Sequence, residues 1–248
     1  MHPLEGHPGP AATLDAFVAA TRELPDTGAR FECESARALR IEVDGEVWLK
    51  PGAAIAYRGE LTFERRPTLD ADDAVDAILR EAAPLVRAVG RGRLHCAHHG
   101  GHVRVVELAG ETIVVSWQEL LAFESTLAFE TRLVAHGVGL AAGGMAVVRL
   151  SGRGCFALVT HGQPITLEVT PDAPLCTDPH ATLAWSSSLE PTLKFDVSWR
   201  SAIGHGGHEP FQMRFDGRGW VVVQPFENPS RLHLTGNPMK RLAALVTA

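Results

Sequence analysis

An all-β domain is what this sequence predicts, mainly antiparallel, of barrel or double-stranded-β-helix-like form, with three internal repeats and short peripheral helices. Three observations carry the prediction. Apolar and polar residues alternate over much of the chain, as in Leu39-Arg40-Ile41-Glu42-Val43. Gly (24) and Pro (16) are plentiful and aromatics make up only 6%, so the interior relies on Val, Leu, Ala and Ile between many turns. The pattern R-x-x-G-R-G occurs at residues 87–92, 149–154 and 214–219; its first glycines are 152 − 90 = 62 and 217 − 152 = 65 residues apart.

The elements follow in order. Residues 1–12 are expected to be a flexible Pro/Gly leader, and residues 13–236 one triplicated β domain. Leu14, Phe17, Val18 and Leu24 recur near helical spacing behind Thr13, which predicts a capped helix over 13–24. From Phe31 the period falls to two, with Asp44-Gly45 read as a hairpin turn before Val47 and Leu49. A second helix is predicted over 70–83, where Asp70, Asp72 and Asp73 favour the positive N-terminal dipole and Pro84 ends it. Each R-x-x-G-R-G is read as a hairpin turn with an arginine at its tip. A second marker keeps nearly the same period: Ala56-Tyr57, Ala122-Phe123 and Ala184-Trp185 are 122 − 56 = 66 and 184 − 122 = 62 residues apart, and each leads to a Leu-x-Phe strand. Gly-rich connectors at 137–144 and 201–209 carry the chain onward, the hairpin 211–226 is expected to complete the first copy, and residues 237–248 form a short C-terminal helix. Closure of this kind would leave no sheet edge exposed.

With 248 residues and 21% charged, the chain can bury a sizeable core, and its net charge of −6 opposes a general grip on nucleic acid or an anionic membrane. The least polar stretch, Gly137 to Val148, is 12 residues long, short of the ~20 a membrane-spanning helix needs. Cys33, Cys96, Cys155 and Cys176 are widely spaced with no C-x-x-C, the pattern of reduced thiols. The opening Met1-His2-Pro3-Leu4 lacks the cationic start of a secretory signal, and cytoplasmic location is expected.

Several segments together carry a resemblance. They are Leu49-Lys50-Pro51-Gly52-Ala53 with Tyr57, the connector 137–144, Leu150-Ser151-Gly152-Arg153-Gly154, Leu183-Ala184-Trp185 and Arg214-Phe215-Asp216-Gly217-Arg218-Gly219-Trp220-Val221. In this order, over residues 35–226, the chain resembles the altered inheritance of mitochondria protein twenty-four family. The resemblance implies a tryptophan-RNA-binding-attenuator-like β fold in triplicate and no established enzymatic activity. It carries over neither RNA nor tryptophan binding, because function belongs to sites and not to folds. The charged segment 70–83 stands where such proteins have a Gly-rich connector.

Four groups of residues are candidates for chemistry. His95-Cys96-Ala97-His98-His99-Gly100-Gly101-His102 is rich in good metal-ligand types, and a cupin-like metal-dependent enzyme using His98, His99 and His102 is the alternative it supports. The spacing fits no established finger or cupin pattern, so a solvated turn is preferred and no metal or other cofactor is expected. His205-Gly206-Gly207-His208-Glu209 is a weaker case of the same kind. Arg91, Arg153 and Arg218 would place one cation per repeat for an anion or an acidic partner, while Arg87, Arg149 and Arg214 are expected to pair with carboxylates such as Glu130. There is no Gly-x-Ser-x-Gly elbow and no Walker phosphate loop, and Ser186-Ser187-Ser188 reads as a turn. The expectation is a non-enzymatic cytoplasmic binding or scaffold protein, with a protein partner or a homo-oligomer open and nucleic acid excluded.

Overall fold

Residues 11–66, 79–134, 145–195 and 211–225 are described by the structure, a computed structural model. One helix, α1 (Leu14–Ala20), precedes β1 (Phe31–Ser35), β2 (Ala38–Leu49), β3 (Ala54–Arg65), β4 (Val86–Cys96), β5 (His102–Ser116), β6 (Leu120–Glu124) and β7 (Ala128–Val134). The second half holds β8 (Met145–Thr160), β9 (Ile165–Val169), β10 (Leu175–Thr177), β11 (Thr182–Ser186), β12 (Thr192–Phe195), β13 (Phe211–Phe215) and β14 (Gly219–Val223). The all-β, antiparallel class therefore holds. Helix α1 is shorter than the predicted 13–24: Thr13 caps it as expected, its hydroxyl accepting from the Ala16 amide at 3.2 Å. The helix 70–83 is described only at its end, where residues 79–82 are helical and the Ala83 amide donates to the Leu79 carbonyl. The leader up to residue 10, the connectors 137–144 and 201–209 and the C-terminal helix lie outside the described residues.

Eleven strands form one sheet in the order β3-β4-β2-β6-β8-β5-β11-β14-β9, with β1 added to β2 and β7 added to β8. Three further strands, β10-β13-β12, form a second sheet. The expected barrel does not close: the path ends at β3 and β9, which do not pair with each other. The reason is local. β9 has five residues and is bounded by Pro164 and Pro171, which lack the amide hydrogen a ladder needs, so it offers a far shorter edge than the twelve-residue β3. The predicted hairpin 211–226 is corrected too, since β13 joins the small sheet and β14 lies between β11 and β9. Both sheets meet in one apolar core, where Met213 and Phe215 of β13 pack with Trp185 and Val221; the Trp185 and Phe215 rings are 5.5 Å apart, edge to face. Two further cores lie along the large sheet, one around Leu39, Ile41, Leu94 and Leu121, the other around Phe123, Leu150 and Phe156.

The glycines do something other than predicted. Neither Asp44-Gly45 nor the first two R-x-x-G-R-G segments turn the chain back: β2, β4 and β8 run straight through them. Gly45 pairs with Gly90 and Gly92 pairs with Gly59, which draws one line of glycines across β2, β4 and β3. Gly45, Gly59 and Gly90 have φ of +101°, +96° and +131°, so the three strands bend together on that line. The bend shows in β3, where the Tyr57 and Phe63 rings are 5.2 Å apart although six extended residues span about 20 Å. The second glycine of each motif also faces a leucine. Leu61, Leu127 and Leu189 bring Cγ to 3.2, 3.4 and 2.9 Å from where a Cβ would stand at Gly92, Gly154 and Gly219.

Candidate functional site

The segment between α1 and β1 carries Glu23 and Asp26, and the sheet beneath it supplies the cations that hold them. Glu23 accepts from Arg58 of β3 at 2.8 Å and from Arg93 of β4 at 3.1 Å, with His95 Nε2 at 3.2 Å. Arg93 also donates to Asp26 at 2.8 Å and to Glu42. Arg40, only 1% exposed, donates to the carbonyls of Leu24 and Pro25 at 2.8 and 3.1 Å, to Glu34 at 3.1 Å and to Glu32. A guanidinium fork of fixed geometry suits this arrangement, since several acceptors converge on one charge and offset its desolvation.

What this clamp presents outward is apolar. Nine large apolar residues are exposed among the described residues, and seven of them, Leu14, Phe17, Val18, Leu24, Ile55, Tyr57 and Phe63, lie on the N-terminal arm or on β3. The Glu23–Arg58 ion pair ties the arm to β3, and strand alternation puts Tyr57 and Phe63 on the face opposite Arg58, so the arm and β3 offer apolar residues on the two sides of one sheet edge. Helix α1 buries no residue at all; its stripe of Leu14, Phe17 and Val18 is open to water, with Leu14 76% and Phe17 53% exposed. On β3, Ile55 and Tyr57 are 61% and 56% exposed. A comparison within the molecule shows what such a pair looks like when covered. Phe123 and Phe129 meet at 5.1 Å with the same six-residue spacing as Tyr57 and Phe63, but Trp48 packs on both and Arg66 lies over Phe129. Phe123 is fully buried, whereas Tyr57 has no such cover.

The residues singled out by sequence fare differently. Arg91 lies on β4, Arg153 on β8 and Arg218 on the turn before β14, and no hydrogen bond or ion pair links any of them to another. Arg91 is paired with Asp44 at 3.1 Å and holds that carboxyl below its usual range. Arg153 adds to the backbone amides of Glu111 and Ala109 in lowering the Glu111 carboxyl. Arg91 and Arg153 are thus mid-strand residues and not hairpin tips. Arg87 bridges Glu46 and Glu64, Arg214 chelates Asp216, and Arg149 stands directly across from Glu130. His98 and His99 stack edge to face at 4.1 Å on a tight turn, with the Gly101 amide donating to the His98 carbonyl and both His99 and Gly100 left-handed. His102 begins β5. Among the described residues no three His, Cys, Asp or Glu side chains gather as metal ligands. His205 and His208 lie outside the described residues.

All four cysteines are free, and burial pushes the Cys96 thiol up to about 12 and raises Cys33 and Cys155. Ser188 donates to the Arg218 carbonyl, closing a turn against the third R-x-x-G-R-G. Lys50 is buried. Its ammonium donates to the carbonyls of Trp117 and Gln118 at 3.3 and 2.5 Å and lies over the Trp117 ring, tying one strand end to the next. Sequence reading missed the arm and β3 surface, although the Leu14, Phe17 and Val18 stripe was its visible half.

The clamp titrates. Burial is the largest single influence on the Glu23 carboxyl and raises it, but the Arg93 hydrogen bond and the charges of Arg58, Arg93 and His95 together outweigh it and leave the pKa below 4.5. The Gly28 amide, then Arg93 and Arg40, hold Asp26 below 3.8. Lowered carboxylates contribute attachment that is complete above those ordinary values and lost as pH falls through the folded-state ones. We expect limited proteolysis between α1 and β1 to be slow at pH 6 and to accelerate below about pH 4, before the sheet unfolds; cleavage at an equal rate at both pH values would count against the clamp.

Glycine-bent antiparallel strands, three linked cores and an apolar arm-and-edge surface define an all-β protein built around one open sheet. The chain belongs to the Mitochondrial biogenesis AIM24 family, whose model matches residues 29–226. It is also similar in fold to the X-ray structure of a protein from Streptococcus pyogenes, with 18% identity and a TM-score of 0.60 over 88% of this chain and 96% of that one. No curated protein matches it. No helix among the described residues is long and apolar enough to cross a membrane.

Proposed function

We propose that this chain, built as three repeats of one β unit, is a non-enzymatic cytoplasmic scaffold that works by protein docking at the surface formed by α1 and β3. One observation carries the reading: seven of the nine exposed large apolar residues are gathered on two segments held together by the Glu23–Arg58 pair. Scattered apolar residues need no explanation, but their concentration on two joined segments at one edge of the sheet supports an interaction site there. The net charge of −6 and the pairing of the nearby Arg40, Arg58 and Arg93 with carboxylates speak against an RNA groove. The thiols of Cys33, Cys96 and Cys155, raised by burial, are poorly suited to nucleophilic chemistry, which supports a binding role.

Photo-crosslinking in the native host tests it. A photoreactive residue replacing Phe17 or Tyr57 is expected to give discrete adducts, while one replacing the exposed Asp172 on the turn after β9 gives none. Adducts at Asp172 alone, or none anywhere, would refute the docking reading.

A further inference from the structure

We infer that the outer edge of β3 is the seam of a twofold dimer, in which it pairs antiparallel with β3 of a second copy about Gly59. This rests on the docking reading and names its occupant. An unpaired strand edge is normally blunted by shortness, proline or a central lysine. β9, at the far end of the sheet, is blunted: five residues with proline on both flanks. The other strands paired on one side within the large sheet, β1 and β7, have five and seven residues. β3 has twelve, with no proline and no lysine, and only Leu61 of the twelve is buried.

The sequence of β3 is complementary to itself in one register, and three independent features select it. With Gly59 opposite Gly59 of the partner subunit, the two strand bends coincide and the line Gly45-Gly90, Gly92-Gly59 continues across the seam. Arg58 then faces Glu60 of the partner subunit, twice by symmetry. On the opposite face of the strand, Ile55 meets Phe63 of the partner subunit, and Tyr57 meets the partner's Leu61. Opposite residues in an antiparallel pair share a face, so the charged pairs stay together and the apolar pairs stay together. Shifting the register by two residues sets Glu60 against itself, or pairs Gly59 with a bulky residue at the bend. The same surface on both subunits gives a closed dimer and no filament.

Sedimentation velocity of the full chain at micromolar concentration tests this. The wild type is expected to sediment as two chains of 26.7 kDa. Glu60→Arg sets Arg58 against arginine and is expected to raise the dissociation constant by ~100-fold or more, giving monomer. The double variant Arg58→Glu with Glu60→Arg, made in a Glu23→Gln background that removes the carboxylate otherwise beside position 58, restores opposite charges across the seam and is expected to restore the dimer. Ile55→Lys alters only a solvent-facing position of the single chain and serves as the second monomerising variant. A monomeric wild type, a dimer that survives both Glu60→Arg and Ile55→Lys, or a double variant that stays monomeric would overturn the seam. If the wild type is monomeric while positions 17 and 57 still give adducts heavier than one chain, the second copy is wrong and docking stands. Without adducts, both readings fail.

Discussion

Gly90→Ala is expected to lower the unfolding free energy by about 4 kcal/mol, a large share of the roughly 5 to 15 kcal/mol that stabilises a typical domain. Gly90 sits at φ +131°, a conformation that L side chains rarely adopt, and a Cβ there would stand 2.0 Å from the Glu60 carbonyl oxygen. That oxygen belongs to the β3 backbone, so it cannot move aside without breaking the ladder. Gly45, directly across in β2, is the control: its φ is +101° but nothing lies within 4 Å of a Cβ, so Gly45→Ala costs about 1 to 2 kcal/mol from strain alone. Urea unfolding of the two variants separates the effects. Equal losses would mean that close approach between β3 and β4 is not what the glycine at 90 serves.

Arg40→Ala is expected to cost about 3 kcal/mol, because it leaves Glu32 and Glu34 side by side without their cation and releases the carbonyls of Leu24 and Pro25. The same change should free the N-terminal arm, seen as cleavage between α1 and β1 at pH 7 under conditions that leave the wild type intact. Arg40→Lys is not a conservative rescue: an ammonium has one point of charge where four acceptor contacts of fixed direction are spread around a fork. If Arg40→Ala lowered stability but left the arm protected, Arg93 and Arg58 alone would be sufficient anchors.

What the sequence disclosed follows from the range of each interaction. Strand alternation and the Thr13 cap are local, and both were legible; the strands came out where Leu39, Ile41 and Val43 alternate and where Phe211 to Phe215 do. Glycine pairs were legible as special backbone but not as to kind, because a tight turn and a bend in a long strand ask for the same positive φ. Which it is depends on the strands beside it: Gly90 bends within the ladder with Gly45 opposite, 90 − 45 = 45 residues earlier. Barrel closure was out of reach for a similar reason, since it depended on how long β9 is relative to a strand 100 residues away. The candidate surface was half visible. The α1 stripe could be read, but an apolar stripe in a sequence is ordinarily a buried one, and only the arm's ion pairs to Arg40, Arg58 and Arg93 show that this one faces outward. Tyr57 differs from Phe123 in having no Trp48 above it, a fact about strand order that no local pattern encodes.

The sixteen-residue β8 pairs with β5, β6 and β7, all of which precede it in the chain. During synthesis these three strands emerge before the strand that joins them. β5 in particular, fifteen residues long, waits for residues 147–160 before its partner exists. The pairings among β2, β3 and β4 have no such wait, since they are complete once Cys96 is made, and only the three-residue contact of β2 with β6 comes later. The ribosome therefore delivers a first third that can settle at once and a middle third that must be held off from other chains until β8 arrives, and chaperone dependence should concentrate in that interval.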